Sequence, residues 1–201
     1  MIIAALTGSI AMGKSETAKM FAARGIPVFD SDAAVHALYS EGGEAVEVIR
    51  SIAPSAVENG RVDRQKLSVL VQQRPSLLKD IEAVVHPLVK ARQKEFLSDA
   101  RAAGAGLAVL DIPLLFETGR QADVDVVLVV SAGPELQRMR ALARPGMTPE
   151  KFELILSRQI PDADKRARAD YVIDTSRSLA DTAHAVDQII ADLKARAETG
   201  S

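Results

Sequence analysis

Five short stretches of the chain are apolar at consecutive positions instead of alternating: Ile2–Leu6 (IIAAL), Pro27–Asp30 (PVFD), Leu107–Asp111 (LAVLD), Asp125–Val130 (DVVLVV) and Tyr171–Asp174 (YVID). Continuous apolar runs of this length, ended by a polar residue or glycine, are the pattern of parallel strands buried on both faces. Helical patterns separate them, so the chain reads as βαβ crossovers with helices on both sides of a parallel sheet. The first helix is expected to run from the glycine–lysine–serine triplet through ETAKMFAA. It should stop at Gly25, because Pro27 cannot continue it. The last segment places Leu179, Ala183, Val186, Ile190 and Leu193 at helical spacing, a stripe that covers one sheet face.

Two intervals are too long for a single crossover. Between Asp32 and Gly106 the pattern predicts helices over Ala45–Ile52, Arg64–Gln72, Ser76–Val84 and Pro87–Ala103, a helical insertion that builds a second lobe. His86–Pro87 would put proline at the first position of the fourth helix, with histidine at or beside its cap. From Pro134 to about Arg168 a second insertion is broken by RPGMTPE. It carries Arg138, Arg140, Arg144, Arg158, Lys165, Arg166 and Arg168. A charge run of this kind is either a solvated helix face or an arginine-bearing lid that closes on transferring phosphates.

Composition narrows the class. The 201 residues are 47% hydrophobic and 26% charged, the values of a globular chain. A net charge of −2 gives no electrostatic footprint for nucleic acid. Zero cysteines excludes disulfides and thiolate zinc sites and fits a reducing compartment. No stretch approaches the roughly 20 apolar residues of a membrane span, and the N-terminus lacks the pattern of a signal peptide. The expectation is a cytoplasmic protein with neither a nucleic-acid nor a membrane partner. The three histidines lie in unrelated contexts and make no metal cluster.

Chemistry concentrates at strand ends. GSIAMGKS, Gly8 to Ser15, fits G-x-x-x-x-G-K-[ST] without mismatch, directly after a strand and opening a helix. The glycines let successive N–H groups turn toward phosphate oxygens, and the helix N-terminus adds partial positive charge. Lys14 would reach the β- and γ-phosphates of ATP and the Ser15 hydroxyl would bind Mg²⁺. Gly8, Ala11, Met12, Gly13, Lys14, Ser15 and Glu16 are therefore the candidate nucleotide ligands. Asp30 and Asp32 follow the second strand. One of them suits a proton acceptor beside Mg²⁺, and Ser31 or Asp32 equally suits a helix cap. Asp111 ends the third strand, placed to order the water shell of Mg²⁺. The apolar PLLFE that follows (Pro113, Leu114, Leu115, Phe116, Glu117) either lines a substrate pocket or packs in the core.

Taken in order, LTGSIAMGKS, GIPVFDSD, HP, DIPLLFE, the set Gln137, Arg140, Arg144 and Gln159, and ADYVID resemble the dephospho-coenzyme A kinase family along nearly the whole chain. The resemblance implies a three-layer α/β P-loop kinase core with a five-stranded parallel sheet, a helical substrate-binding insertion and a lid. The core would comprise 1–31, 105–134 and 169–201, the coenzyme A-binding insertion 32–104, and the lid 135–168. It implies transfer of the ATP γ-phosphate to the ribose 3′-hydroxyl of dephospho-coenzyme A, the last step of coenzyme A biosynthesis. Asp32 would receive the hydroxyl proton, and Lys14 and Ser15 keep the roles given above. His86, Pro113, Leu114, Leu115 and Glu117 would belong to the acceptor side, and Arg140 and Arg144 would neutralise phosphate charge. Two residues depart from the family pattern. Glu16 stands where threonine is common, at a position that serves phosphate through its backbone, and Thr175 follows VID where asparagine is common. A GTPase is excluded by the missing Asn-Lys-x-Asp motif, since Asn59 is the sole asparagine. A kinase for a nucleoside monophosphate or shikimate fits the long insertion and HP…PLLFE less well.

Overall fold

A computed structural model describes residues 1–199. The chain forms two compact units, residues 1–29 with 100–201, and residues 30–99.

The first unit is built on five strands: β1 (Ile2–Thr7), β2 (Val28–Asp30), whose end passes into the second unit, β5 (Leu107–Asp111), β6 (Val126–Ser131) and β7 (Tyr171–Asp174). Their order is β2-β5-β1-β6-β7. Ile2 pairs with Leu107, Ala4 with Val126 and Leu128 with Tyr171, all in parallel register. The apolar runs are continuous because the central strands are covered on both faces. All five residues of β5 and all six of β6 are buried. Helices α1 (Lys14–Ala22) and α9 (Leu179–Thr199) pack together over one face. Phe21, Val186, Ile190 and Leu193 join Leu6, Val109, Leu128 and Ile173 in one core cluster. At roughly 25 cal/mol per Å² of apolar surface, each such side chain contributes about 1.5–3 kcal/mol when fully buried. Between β6 and β7 lie α6 (Pro134–Leu142), α7 (Pro149–Leu156) and α8 (Asp162–Ala167).

The second unit holds α2 (Ser31–Tyr39), α3 (Val46–Ile52), α4 (Arg64–Gln73) and most of α5 (Leu77–Ala102). Three features differ from the expectation drawn from sequence. Ser76–Val84 and Pro87–Ala103 are one helix, α5, with Pro87 in its interior and His86 beside it far from any cap. Proline removes one intrahelical hydrogen bond, to the carbonyl four residues back. Here both Pro87 and Ala83 are exposed, so water can satisfy that carbonyl. Leu77, Ile81, Val85 and Val89 hold the helix by a buried stripe that runs straight through the proline. Second, α2 begins directly after β2, and its cap is Asp30, not Ser31 or Asp32. The Asp30 carboxylate accepts from Ala33 N at 2.9 Å. Third, Val57–Glu58 (β3) and Arg61–Val62 (β4) form a small antiparallel hairpin. Asn59 and Gly60 turn it with φ of 48° and 73°, the two left-handed positions that a type I′ turn requires.

Candidate active site

The loop from Gly8 to Gly13 leaves the carboxyl end of β1 and enters α1. A Cβ on Gly8 would lie 2.4 Å from Val130 Cγ2 and 2.8 Å from the Val130 carbonyl oxygen, so only glycine lets the loop pass the end of β6. Ala11 and Gly13 are left-handed, with φ of 62° and 93°. Met12 N closes a turn onto Ser9 O at 3.2 Å. Alternating left- and right-handed residues gather main-chain N–H groups into a concave, anion-binding surface. Gly13 caps α1 with no side chain on the helix end, and the first main-chain bond into the helix is from Thr17 N. The amides of Gly13, Lys14, Ser15 and Glu16 thus head the helix with no intrahelical acceptor, at its positive end.

Lys14 bonds Asp111, the last residue of β5, and both side chains are largely buried (16% and 4% exposed). Ser15 and Glu16 are exposed, and the Glu16 carboxylate is drawn aside by Lys19 at 2.7 Å. Among the described residues no group of three or more His, Asp or Glu could cage a metal ion. Mg²⁺ is ordinarily held by one or two protein oxygens plus substrate phosphates and keeps several waters. Ser15 Oγ, at the head of α1, is such an oxygen.

Arg140 of α6 donates to the Thr175 carbonyl at 2.8 Å and to Thr175 Oγ1 at 3.3 Å. Thr175 is buried, and its hydroxyl donates to Met12 O in the loop at 2.7 Å. The arginine is therefore fixed one residue away from the phosphate loop's own hydrogen bonds. Arg144, just beyond α6, is exposed. Arg138 pairs with Glu153 at 2.5 Å, and Arg168 lies 4.8 Å over the ring of Phe116.

The PLLFE residues follow β5 as a series of turns. The Pro113 carbonyl accepts from Thr7 Oγ1 at 3.2 Å, Leu114 points outward at 42% exposure, and Leu115 and Phe116 are buried in the interior. Glu117 Oε1 accepts from Ile160 N at 2.9 Å and stands 2.8 Å from Nζ of the fully buried Lys165. Burial pushes the Glu117 carboxyl up. The Lys165 ammonium and the main-chain donors outweigh it and hold the group below its ordinary value.

In the second unit, Asp32 is exposed in the first turn of α2, and His86 is exposed midway along α5. Four residues that the sequence left without a positive role emerge from the geometry: Gln137 and Gln159, which bond the phosphate loop, Thr175 and Lys165. Their signal in the sequence was the family pattern for the glutamines. Lys165 is not distinguished there from the neighbouring charges, and Thr175 is marked only as the residue that stands where the family commonly has asparagine.

The dephospho-CoA kinase family profile matches residues 2–181. Dephospho-CoA kinase of Rhizobium etli is 52% identical over 200 residues, covering 100% of this chain and 98% of its own. The enzyme of Agrobacterium fabrum is 51% identical over 195 residues, covering 97% of this chain and 100% of its own. A solved Thermus thermophilus structure superposes with a TM-score of 0.83 at 38% identity, covering 96% of this chain and 97% of that one. Dephospho-CoA kinase from Campylobacter jejuni, at 24% identity and a TM-score of 0.71 over 96% of both chains, shares the fold.

Proposed function

The chain belongs to the dephospho-CoA kinase family, and on that premise we propose that it transfers the γ-phosphoryl group of ATP to the ribose 3′-hydroxyl of dephospho-coenzyme A, releasing ADP and coenzyme A. The observation that carries the reading is the phosphate loop. Its left-handed turns at Ala11 and Gly13, its amides heading α1 and its lysine on Asp111 make a cradle for a triphosphate. Phosphoryl transfer asks the protein mainly for positioning and charge stabilisation, so the remaining roles follow from charge and reach.

Lys14 exchanges its bond to Asp111 for the β- and γ-phosphate oxygens. The amides of Gly13 to Glu16 hold the other phosphate oxygens, and the side chain of Glu16 takes no part. Arg140 neutralises charge on the transferring group from its seat on Thr175, and Arg144 adds a second positive charge. Asp32 takes the proton of the attacking hydroxyl, which bonds to the γ-phosphorus as ADP leaves. Mg²⁺ would be held by Ser15 Oγ with Asp111 ordering its water, and when bound it supplies charge neutralisation on the phosphates. Residues 1–31, 105–134 and 169–201 form the nucleotide core in this assignment, 135–168 the lid, and 32–104 with His86 and Pro113–Glu117 the acceptor side. Within that last group Glu117 acts through Lys165 and Ile160, and Leu115, being fully buried, takes no direct part.

The test is an ADP-release assay with purified protein over a panel of hydroxyl acceptors. Turnover on dephospho-coenzyme A is expected, and turnover on adenosine monophosphate or shikimate with none on dephospho-coenzyme A overturns the assignment.

A further inference from the structure

Ile10, at the tip of the phosphate loop, has both of its main-chain polar groups taken by side chains from far along the chain. Its N–H donates to Gln159 Oε1 at 3.0 Å, and its carbonyl accepts from Gln137 Nε2 at 2.9 Å. Gln137 lies in α6 at 4% exposure, and Gln159 follows α7. The Ile10 side chain is also committed. With Leu142, Met147 and Leu156 it packs on a small core of Ala11, Ala141 and Phe152, separate from the main core of the sheet. The loop tip is thus an interior part of the α6–α7 segment, held by two opposed hydrogen bonds and an apolar cluster. Loop and segment cannot shift past each other without breaking all three.

We propose that Gln137 and Gln159 are positioning residues for nucleotide binding. They pin the Ile10 peptides so that Ala11 and Gly13 keep the turns that aim the following amides at phosphate, and they pass phosphate occupancy of the loop on to α7. Neither side chain has to touch nucleotide to do this. The inference rests on the phosphate-loop reading and deepens it, but its readout is nucleotide affinity, which stands whatever the acceptor hydroxyl proves to be.

The experiment is ADP titration by calorimetry on the full chain, with backbone hydrogen exchange in the presence and absence of ADP. Gln137→Leu and Gln159→Leu are each expected to weaken ADP binding roughly tenfold, the scale of one lost neutral hydrogen bond whose backbone partner is left unpaired. The double variant should fall well short of the roughly hundredfold product, because the first loss already frees the tip. In the parent chain ADP should slow exchange in both the loop and α7. In Gln159→Leu the loop should still be protected and α7 should not.

A glutamate scan separates positioning from simple packing. Gln159→Glu keeps an acceptor for Ile10 N, whereas Gln137→Glu sets a carboxylate oxygen against the Ile10 carbonyl. Without nucleotide, Gln137→Glu should therefore melt lower than Gln159→Glu. Should Gln137→Leu fail to fold, the half-buried Gln159 variants and the exchange pattern of the parent decide the matter alone. Binding of ADP within twofold of the parent by the folded leucine variants, or an α7 whose exchange ignores ADP, overturns the proposal.

Discussion

Glu117 and Lys165 make the sharpest test of what the PLLFE turns do. Lys165 is fully buried and the Glu117 side chain is 13% exposed, so the pair lies within the fold and is not a rim contact. Glu117→Gln changes almost no volume but leaves a buried ammonium facing a neutral amide. Breaking a buried pair from one side costs about 3–5 kcal/mol, against about 0–1 for an exposed pair. For a domain of this size that is a fall of roughly 6–20 °C in melting temperature. Lys165→Met removes the buried charge itself. It leaves Glu117 Oε1 its hydrogen bond from the Ile160 N–H at 2.9 Å, whereas Glu117→Gln leaves the buried ammonium without its charged partner, so Lys165→Met should cost less. The double variant Glu117→Gln/Lys165→Met should recover most of the loss, because a neutral pair replaces a charged one. Thermal melts of the four proteins give the cycle directly. The acid limb adds a second reading. Glu117 is held below its ordinary value of 4.5, so its stabilisation is present above that pH and is lost as pH falls through the lower native value. The stability difference between the parent and Glu117→Gln should therefore shrink below about pH 4.5. A loss under about 1 kcal/mol for Glu117→Gln, or a double variant less stable than Glu117→Gln alone, would refute the reasoning.

Three further outcomes follow. Asp32→Asn should lower turnover roughly 10²–10⁴-fold, the span for removal of a general base, while ADP binding in a calorimeter is retained; near-normal turnover moves the role elsewhere. Gly8→Ala should lose about 1–3 kcal/mol in urea unfolding and weaken ATP binding, since its Cβ would fall 2.4 Å from Val130 Cγ2 and push the loop off its strand. Pro87→Ala should stabilise the chain by about 1–3 kcal/mol by restoring an intrahelical hydrogen bond in α5. An unchanged or lower urea midpoint would mean that the proline fits its place better than helix propensity allows.

Local chemistry wrote most of the fold into the sequence. β5 and β6 are legible because a strand buried on both faces leaves no polar position to interrupt the run; β2 and β7 carry the same run but are covered only in part, with Val172 43% exposed. The phosphate loop is legible because it needs glycine where a side chain would strike Val130. Where the reading failed, a distant or cooperative effect outweighed a local rule. Proline at 87 signals a helix start, but a buried stripe from Leu77 to Val89 holds the helix through it. The Asn59–Gly60 turn is a local signal, but its flanking strands are two residues each, too short to form an apolar run. Lys165 sits in a run of charges that looks solvated. Its burial is decided by Glu117, far away in sequence, which no periodicity could reveal. The two glutamines are marked by the family pattern alone, and their partner is not legible, because each reaches the loop through a single hydrogen bond to Ile10.

The two departures from the family pattern carry different consequences. Glu16 is absorbed locally. Lys19 draws its carboxylate away, and what the position contributes to the cradle is an N–H that any side chain would leave in place. Thr175 is structural in a stronger sense. Its hydroxyl bonds Met12 O, and its carbonyl and hydroxyl together seat Arg140, so one buried residue ties the end of β7 to the phosphate loop and to α6. A guanidinium has five N–H donors in a fixed fork, and Thr175 engages two of them. That engagement orients the remaining donors, so in the proposed role Arg140 would have little side-chain entropy left to lose on meeting a phosphate. Arg144, exposed beyond α6, has that entropy to lose. Of the two arginines that the resemblance assigns to phosphate charge, the fold anchors Arg140, through the residue that departs from the family's asparagine, and leaves Arg144 exposed.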